Sequence, residues 1–187
     1  MSLEKDPIFK TIYRDLKRGI ELTMEQGHHV SAAILLFSSI DILANLDRPE
    51  GKVEGESGDF FRWVERYLLR FLPAGIPGEE VYSARCAVVH TAGSESRRTR
   101  DGSVRKVAFM VGGNLAIAYN PQIDRALIVI NLDLLVKAFF SAIDTFLVDA
   151  FADPKRAAVI GRRLGQMLTS MSYKPEQTPP AGRTART

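Results

Sequence analysis

Few side chains in this 187-residue sequence are of a kind that could drive a reaction unaided. The segment Val81-Tyr82-Ser83-Ala84-Arg85-Cys86-Ala87-Val88-Val89-His90-Thr91 sets an arginine five residues before a histidine, at the end of a mostly apolar helical pattern. Metal-independent RNA cleavage needs little more than these two side-chain types. A histidine titrates near neutrality, so it can take the proton of a ribose 2′-hydroxyl or hand one to the leaving 5′-oxygen. An arginine stays charged, and its planar fork can grip the phosphate as negative charge builds. At about 100° per residue, positions five apart lie roughly 140° around a regular helix. Two routes bring Arg85 and His90 to one phosphate: a helix that frays or bulges near His90, or two subunits sharing a site. The plainer alternative is an ion-paired surface arginine and a histidine favoured by the helix C-terminal dipole.

Neighbouring polar residues invite the same weighing. Asp41, within Ile40-Asp41-Ile42-Leu43, falls on a helix that should be buried, where an unpaired carboxylate is costly. It either pairs with Arg85 and orients it, or forms an ion pair elsewhere in the core. Ser38 and Ser39 can join that network or bond back to their own helix. Tyr82, one turn before Arg85, can meet a base or phosphate, or pack in the core. Cys86 is either a thiol made reactive by the adjacent Arg85 or a small buried filler. Downstream, Arg97, Arg98, Arg100, Arg105 and Lys106 face only Asp101 between 96 and 106, a local net charge of +4. That stretch reads as an accessory surface for RNA backbone, or as a solvated flank. Phe109 and Tyr119 are isolated, so no aromatic stacking platform is evident beside it.

Other motifs carry less. Gly51-Lys52-Val53-Glu54-Gly55-Glu56-Ser57-Gly58 lacks the Gly-Lys-Ser/Thr of a phosphate loop, and its acids would repel phosphate. No Gly-x-Ser-x-Gly elbow occurs, and His28 and His29 read as loop or cap residues.

The elements that must position these groups are mainly helical. Ile8, Ile12, Leu16, Ile20 and Met24 recur every fourth residue over 7–26, with Pro7 suited to the first turn and Gly27 to the stop. Residues 29–46 are apolar on nearly all sides and predict a central buried helix. After the acidic connection 47–58, a helix capped by Asp59 carries Phe60, Trp63, Val64, Tyr67, Leu68 and Phe71 inward. The Arg/His segment forms a fourth helix over about 78–90. Val104–Val111 and Ala126–Asn131 predict a small antiparallel insertion, a β-hairpin within about 104–131. An apolar helix at about 132–151 and an amphipathic one at about 154–171 follow. The expected architecture is an antiparallel helical bundle over 1–172, with a disordered tail over 173–187 rich in proline.

Composition bounds the function. A hydrophobic fraction of 45% supports one well-filled core without staples. One cysteine excludes an intrachain disulfide, and one cysteine with three histidines excludes the common zinc patterns, so no cofactor is expected. Net charge +3 is too slight to mark a nucleic-acid binder by itself. The opening Met1–Pro7 lacks a signal-peptide core, and Asp41, Asp133, Lys137, Asp144 and Asp149 interrupt the most apolar runs. A cytoplasmic protein without a membrane role is expected.

Arg85-Cys86-Ala87-Val88-Val89-His90 resembles the Arg-x4–6-His signature of the HEPN superfamily, compact helical bundles that include many prokaryotic RNases and toxins. The likeness extends over roughly 8–151: an apolar second helix, an aromatic third, and the signature closing the fourth. It implies an RNA-binding protein, with a metal-independent endoribonuclease site built from Arg85 and His90; Asp41, Tyr82 and Cys86 are the supporting residues expected from their positions beside it. It also implies a homodimer whose two signatures face one cleft, and an antitoxin protein as partner. Active members often have Asn or His directly after the arginine, where this chain has Cys86. The alternative is therefore a non-catalytic HEPN-like module that binds nucleotide, RNA or protein through the same cleft. The apolar helices at 29–46 and about 132–151 add their own reason to expect a two-fold dimer. Sedimentation at micromolar concentration should give twice the chain mass; a monomer would remove the shared site.

Overall fold

The computed structural model describes residues 6–52 and 57–167. Asp6 opens the first helix by accepting from the Ile8 amide at 2.8 Å. A π-helical stretch, Phe9–Lys17, runs into α1, Arg18–Glu25. A strict four-residue apolar repeat drifts around a 3.6-residue helix, and the wider π turns absorb that drift. Ile12 and Ile20 are accordingly both fully buried. Gly27, at φ +74°, ends the helix as expected.

The central helix is α2, His29–Asp47. It packs against α1, against α3 (Ser57–Trp63), α4 (Gly78–Thr91), α6 (Leu132–Ala152) and α7 (Pro154–Gly165). Leu36, Phe37, Ile40 and Leu43 are fully buried on it. By length and mean hydropathy, 1.6, α2 meets the measure of a membrane span, although Asp41 interrupts it. Half of that window is buried inside the protein, which accounts for its apolar composition. Val30 and Leu35 on α2, and Val148 and Phe151 on α6, are among the large apolar residues left exposed.

Asp59 is not the N-cap the sequence suggests. It lies inside α3, buried, and pairs with Lys52 and Arg62. α3 continues through a π turn, Val64–Leu68, and a 3₁₀ turn, Leu69–Phe71. This change of pitch turns Phe71 outward, to 40% exposure, where the helical repeat had it inward. Trp63 and Tyr67 remain in the core and pack on Phe146.

The insertion is a three-stranded sheet: β1 (Lys106–Met110), β2 (Ile117–Ala118) and β3 (Leu127–Asn131), in the order β1-β3-β2. The expected antiparallel hairpin is corrected here, since β1 pairs with β3 in parallel and only β2 pairs with it antiparallel. The chain leaves β1, returns along β2 at the far edge, and slots β3 between them. Alternation in the sequence marks strands but carries no strand direction, and β2 is too short to register. Before the sheet, Arg97–Arg100 forms a single helical turn, α5, closed by a Ser96/Thr99 capping box, where the sequence reading had a loop. The Asn131 and Asp153 side chains cap α6 and α7. The amphipathic helix ends at Gly165, short of 171; the expected tail over 173–187 lies outside the described residues.

One ionic network ties the last helix to the bundle. Arg156 donates from Nε to Asp47 at 2.9 Å and from Nη1 to Asp149 at 2.8 Å. Asp149 also accepts from the Tyr67 hydroxyl at 2.6 Å and pairs with Arg66. Burial, with that bond to Asp149, pushes the Tyr67 hydroxyl up to about 12. Asp47 is nearly buried, so loss of Arg156 leaves it an uncompensated charge. Arg156→Met should destabilise the fold by about 2–4 kcal/mol in urea unfolding. Arg156→Met combined with Asp47→Leu should recover most of that loss; equal or greater destabilisation in the double variant would contradict this account.

Candidate functional site

Asp41, Arg85 and His90 converge in one chain. Arg85 Nε donates to Asp41 Oδ2 at 2.7 Å, and Nη2 reaches the same oxygen at 2.7 Å. The remaining end of the guanidinium, Nη1, lies 3.3 Å from His90 Nε2. Because an arginine only donates, Nε2 is the acceptor and the neutral imidazole carries its proton on Nδ1. The side chains of Arg85 and Asp41 are 22% and 33% exposed, and His90 is exposed, so the cluster opens to solvent.

The helix neither frays nor bulges to allow this. α4 stays regular to Thr91 and stops at Ala92, which takes the left-handed conformation at φ 51°. Cα–Cβ bonds tilt toward a helix N-terminus, so the His90 ring leans back over the preceding turn. The long Arg85 side chain spans the rest of the angular gap. Arg85 and His90 therefore meet without a second subunit.

Charge in the cluster is nearly balanced. Burial pushes the Asp41 carboxyl above its usual range against the pull of Arg85. Burial alone would lower the Arg85 guanidinium, but the Asp41 hydrogen bond and charge hold it above its ordinary value. Of the two serines before Asp41, Ser39 bonds back to Leu35 O at 2.6 Å. Asp41 and Arg85 line a cavity of about 300 Å³ together with Asn45, Asp59, Phe60 and Tyr82. A second cavity, of about 280 Å³, shares Tyr82 and Ser57 with it and is lined by Ser83, Cys86, Arg97 and Arg98. Tyr82 lines both cavities and Cys86, one turn on, lines the second, while His90 lies outside both.

Tyr82 joins the aromatic cluster of Phe60 and Phe61, with ring centroids 5.4 and 4.9 Å away. Arg98 lies over Phe61 and Tyr82, its guanidinium carbon 5.6 and 5.5 Å from their centroids. The sequence reading found no aromatic platform near the basic stretch; α3 supplies one from far along the chain. Phe61 follows the buried Phe60 directly, and that adjacency, which turns consecutive side chains to different faces, was the available signal. Cys86 is half-buried, its Sγ 4.0 Å from Arg85 Nη1.

The five basic residues after the signature do not act as one surface. Arg105 forms a fork on the buried Glu80, with Nη2 to Oε2 at 2.9 Å, donates to Gly75 O at 2.7 Å, and lies over Tyr119. Lys106 pairs with Glu95. Arg97 and Arg98 line the second cavity, and Arg97 and Arg100 have no ion pair among the described residues. Among the described residues no three His, Cys, Asp or Glu side chains converge as a metal-binding group.

Compared with protein-family models, curated proteins and solved structures, the chain matches none. What the site can do rests on its own geometry.

These placements divide the basic stretch experimentally. If the stretch holds RNA backbone, Arg97→Ala with Arg100→Ala should flatten the salt dependence of single-stranded RNA binding, by up to about 0.7 in slope per lost phosphate contact. Arg105→Ala should leave that slope unchanged and instead lower the urea midpoint, because Glu80 loses its partner. A slope that responds only to Arg105 would reverse the assignment.

Proposed function

We propose that this protein is a HEPN-like RNA-binding protein that cleaves RNA without metal, using Arg85 and His90. The observation that carries the reading is the solvent-exposed 3.3 Å approach of Arg85 Nη1 to His90 Nε2, with Asp41 fixing the arginine from behind. A phosphate oxygen entering between them takes over Nη1 and frees Nε2. His90 then accepts the proton of the 2′-hydroxyl, and the 2′-oxygen attacks phosphorus. The P–O5′ bond breaks, giving a 2′,3′-cyclic phosphate, and the departing 5′-oxygen takes a proton from an imidazolium. Arg85 stabilises the charge that builds on the phosphoryl oxygens.

A homodimer suits this chemistry, since a second His90 across a two-fold axis can donate the proton while the first accepts one. The resemblance to HEPN toxins extends the proposal to the cytoplasm and to an antitoxin-type protein that covers the cleft. One observation favours the non-catalytic reading, a module binding nucleotide, RNA or protein: Asp41 already occupies Nε and Nη2 of Arg85. An incoming phosphate must then compete with a carboxylate for the fork.

Cleavage should survive EDTA, leave a 2′,3′-cyclic end, and stop when the ribose at the cut is replaced by deoxyribose. His90→Ala should lower the rate by roughly 10²–10⁴-fold while RNA still binds. Arg85→Ala should cost a similar order, and Arg85→Lys should recover only part, since an ammonium lacks the planar fork. Tight binding with no cleavage by the wild type favours the non-catalytic module, and activity that requires added magnesium overturns the mechanism.

A further inference from the structure

The second cavity borders the Arg85 cleft but takes no part in the chemistry just described. We propose that it holds the base next to the gripped phosphate, so that the groove along α4 takes single-stranded RNA with one base unstacked into it. This rests on the reading of Arg85 as a phosphate ligand and adds a base subsite to it.

Four features of the groove point this way. Tyr82 lines both cavities, with Arg85 on one side and Arg97 and Arg98 on the other. An aromatic ring therefore stands one helical turn from the phosphate ligand, on the same face of α4. Second, the ring is held in place, packed edge-on against Phe60 at 5.4 Å and against Phe61 at 4.9 Å. A fixed ring loses little freedom when a base stacks on it. Third, Arg98 lies over Tyr82 and Phe61, so an incoming base stacks on the guanidinium or displaces it from the Tyr82 ring. Fourth, Arg97 lines the same cavity with no ion pair among the described residues, and so supplies a cation for the next phosphate.

Size and polarity sharpen the ligand class. At about 280 Å³ the cavity falls just below the usual lower bound of roughly 300 Å³ for ligand pockets, a space for one ring system. Its buried polar pair is Ser83 and Ser96, whose hydroxyls bond each other at 2.6 Å. Ser96 Oγ also accepts the Thr99 amide, which leaves these two hydroxyls little capacity to read a base edge. Stacking accepts any base, so recognition here is of an unpaired base and not of sequence. A duplex keeps its bases stacked and cannot offer one.

The test uses fluorescence anisotropy with the full chain and labelled 2′-O-methyl octauridylate, which cannot be cleaved through its own 2′-oxygen. The comparison ligands are the same backbone without bases and the oligomer annealed to its complement. Wild-type protein should bind the base-free backbone and the duplex about 5- to 150-fold more weakly than the single strand, the range for losing one base stack. Tyr82→Leu should weaken the single strand similarly, leave the salt slope unchanged, and no longer distinguish octauridylate from the base-free backbone. Arg98→Gln, on a side chain outside the core, should move affinity in the same direction. If Tyr82→Leu fails to fold, the wild-type comparison of ligands still decides. Equal wild-type affinity for all three ligands, with Arg85→Ala still weakening binding, overturns the base subsite alone. If Arg85→Ala has no effect on affinity or salt slope, the phosphate reading beneath it falls.

Discussion

The pairing of Asp41 with Arg85 is the constraint from which the rest of the site follows. α2 is surrounded on most sides, so a carboxylate at its midpoint cannot stay unpaired at acceptable cost. α4 lies against α2 and supplies the guanidinium, which fixes both the approach of the two helices and the direction of the arginine fork. With Nε and Nη2 turned to Asp41, Nη1 can only point along α4 toward His90. An interaction that closes the bundle thus also presents one polarised N–H to the cleft.

Much of this was legible in the sequence, and the parts that were not share a cause. Six helices lie where apolar spacing puts them, because burial of a stripe is a local property of the chain. The costly position of Asp41 was equally readable, and its partner was among the few candidates. Strand direction was not, since β1 and β3 pair in parallel only because β2 passes along the outer edge of β3. Arg105 looked like an RNA ligand because its neighbours are basic; its partner, Glu80, lies on α4 and only the fold brings the two together. The Phe61–Tyr82–Arg98 stack was hidden for the same reason, drawing on α3, α4 and α5 at once. Contacts of long sequence separation are what composition and periodicity do not carry.

The bundle separates its ionic groups by task. The Arg156 network with Asp47, Asp149 and Tyr67 joins α7 to α2, α3 and α6 through several oxygens, and its charges satisfy one another. Arg163 extends the same seam by donating to the α2 C-terminal carbonyl of Leu46 at 2.8 Å. Arg105 and Glu80 play the equivalent part between the sheet and α4. The Asp41–Arg85–His90 cluster differs from all of these. Its carboxylate serves one arginine, and that arginine ends on an exposed imidazole instead of a second acid.

Whether such a cluster cuts or only binds turns on the competition for the arginine. Asp41 holds the fork in place at 2.7 Å, so in the proposed reaction a phosphate has only to displace His90 from Nη1. The same carboxylate lowers the net charge that a phosphate meets, which weakens ground-state binding. Burial disfavours the charged form of Asp41, and the Arg85 hydrogen bond and charge oppose that shift. As negative charge grows on the phosphoryl oxygens, the advantage of Arg85 over water grows with it, while its interaction with Asp41 stays constant. The Asp41 hold therefore weakens binding of a resting phosphate, and cleavage requires that Arg85 gain more than this as charge builds on the phosphoryl oxygens.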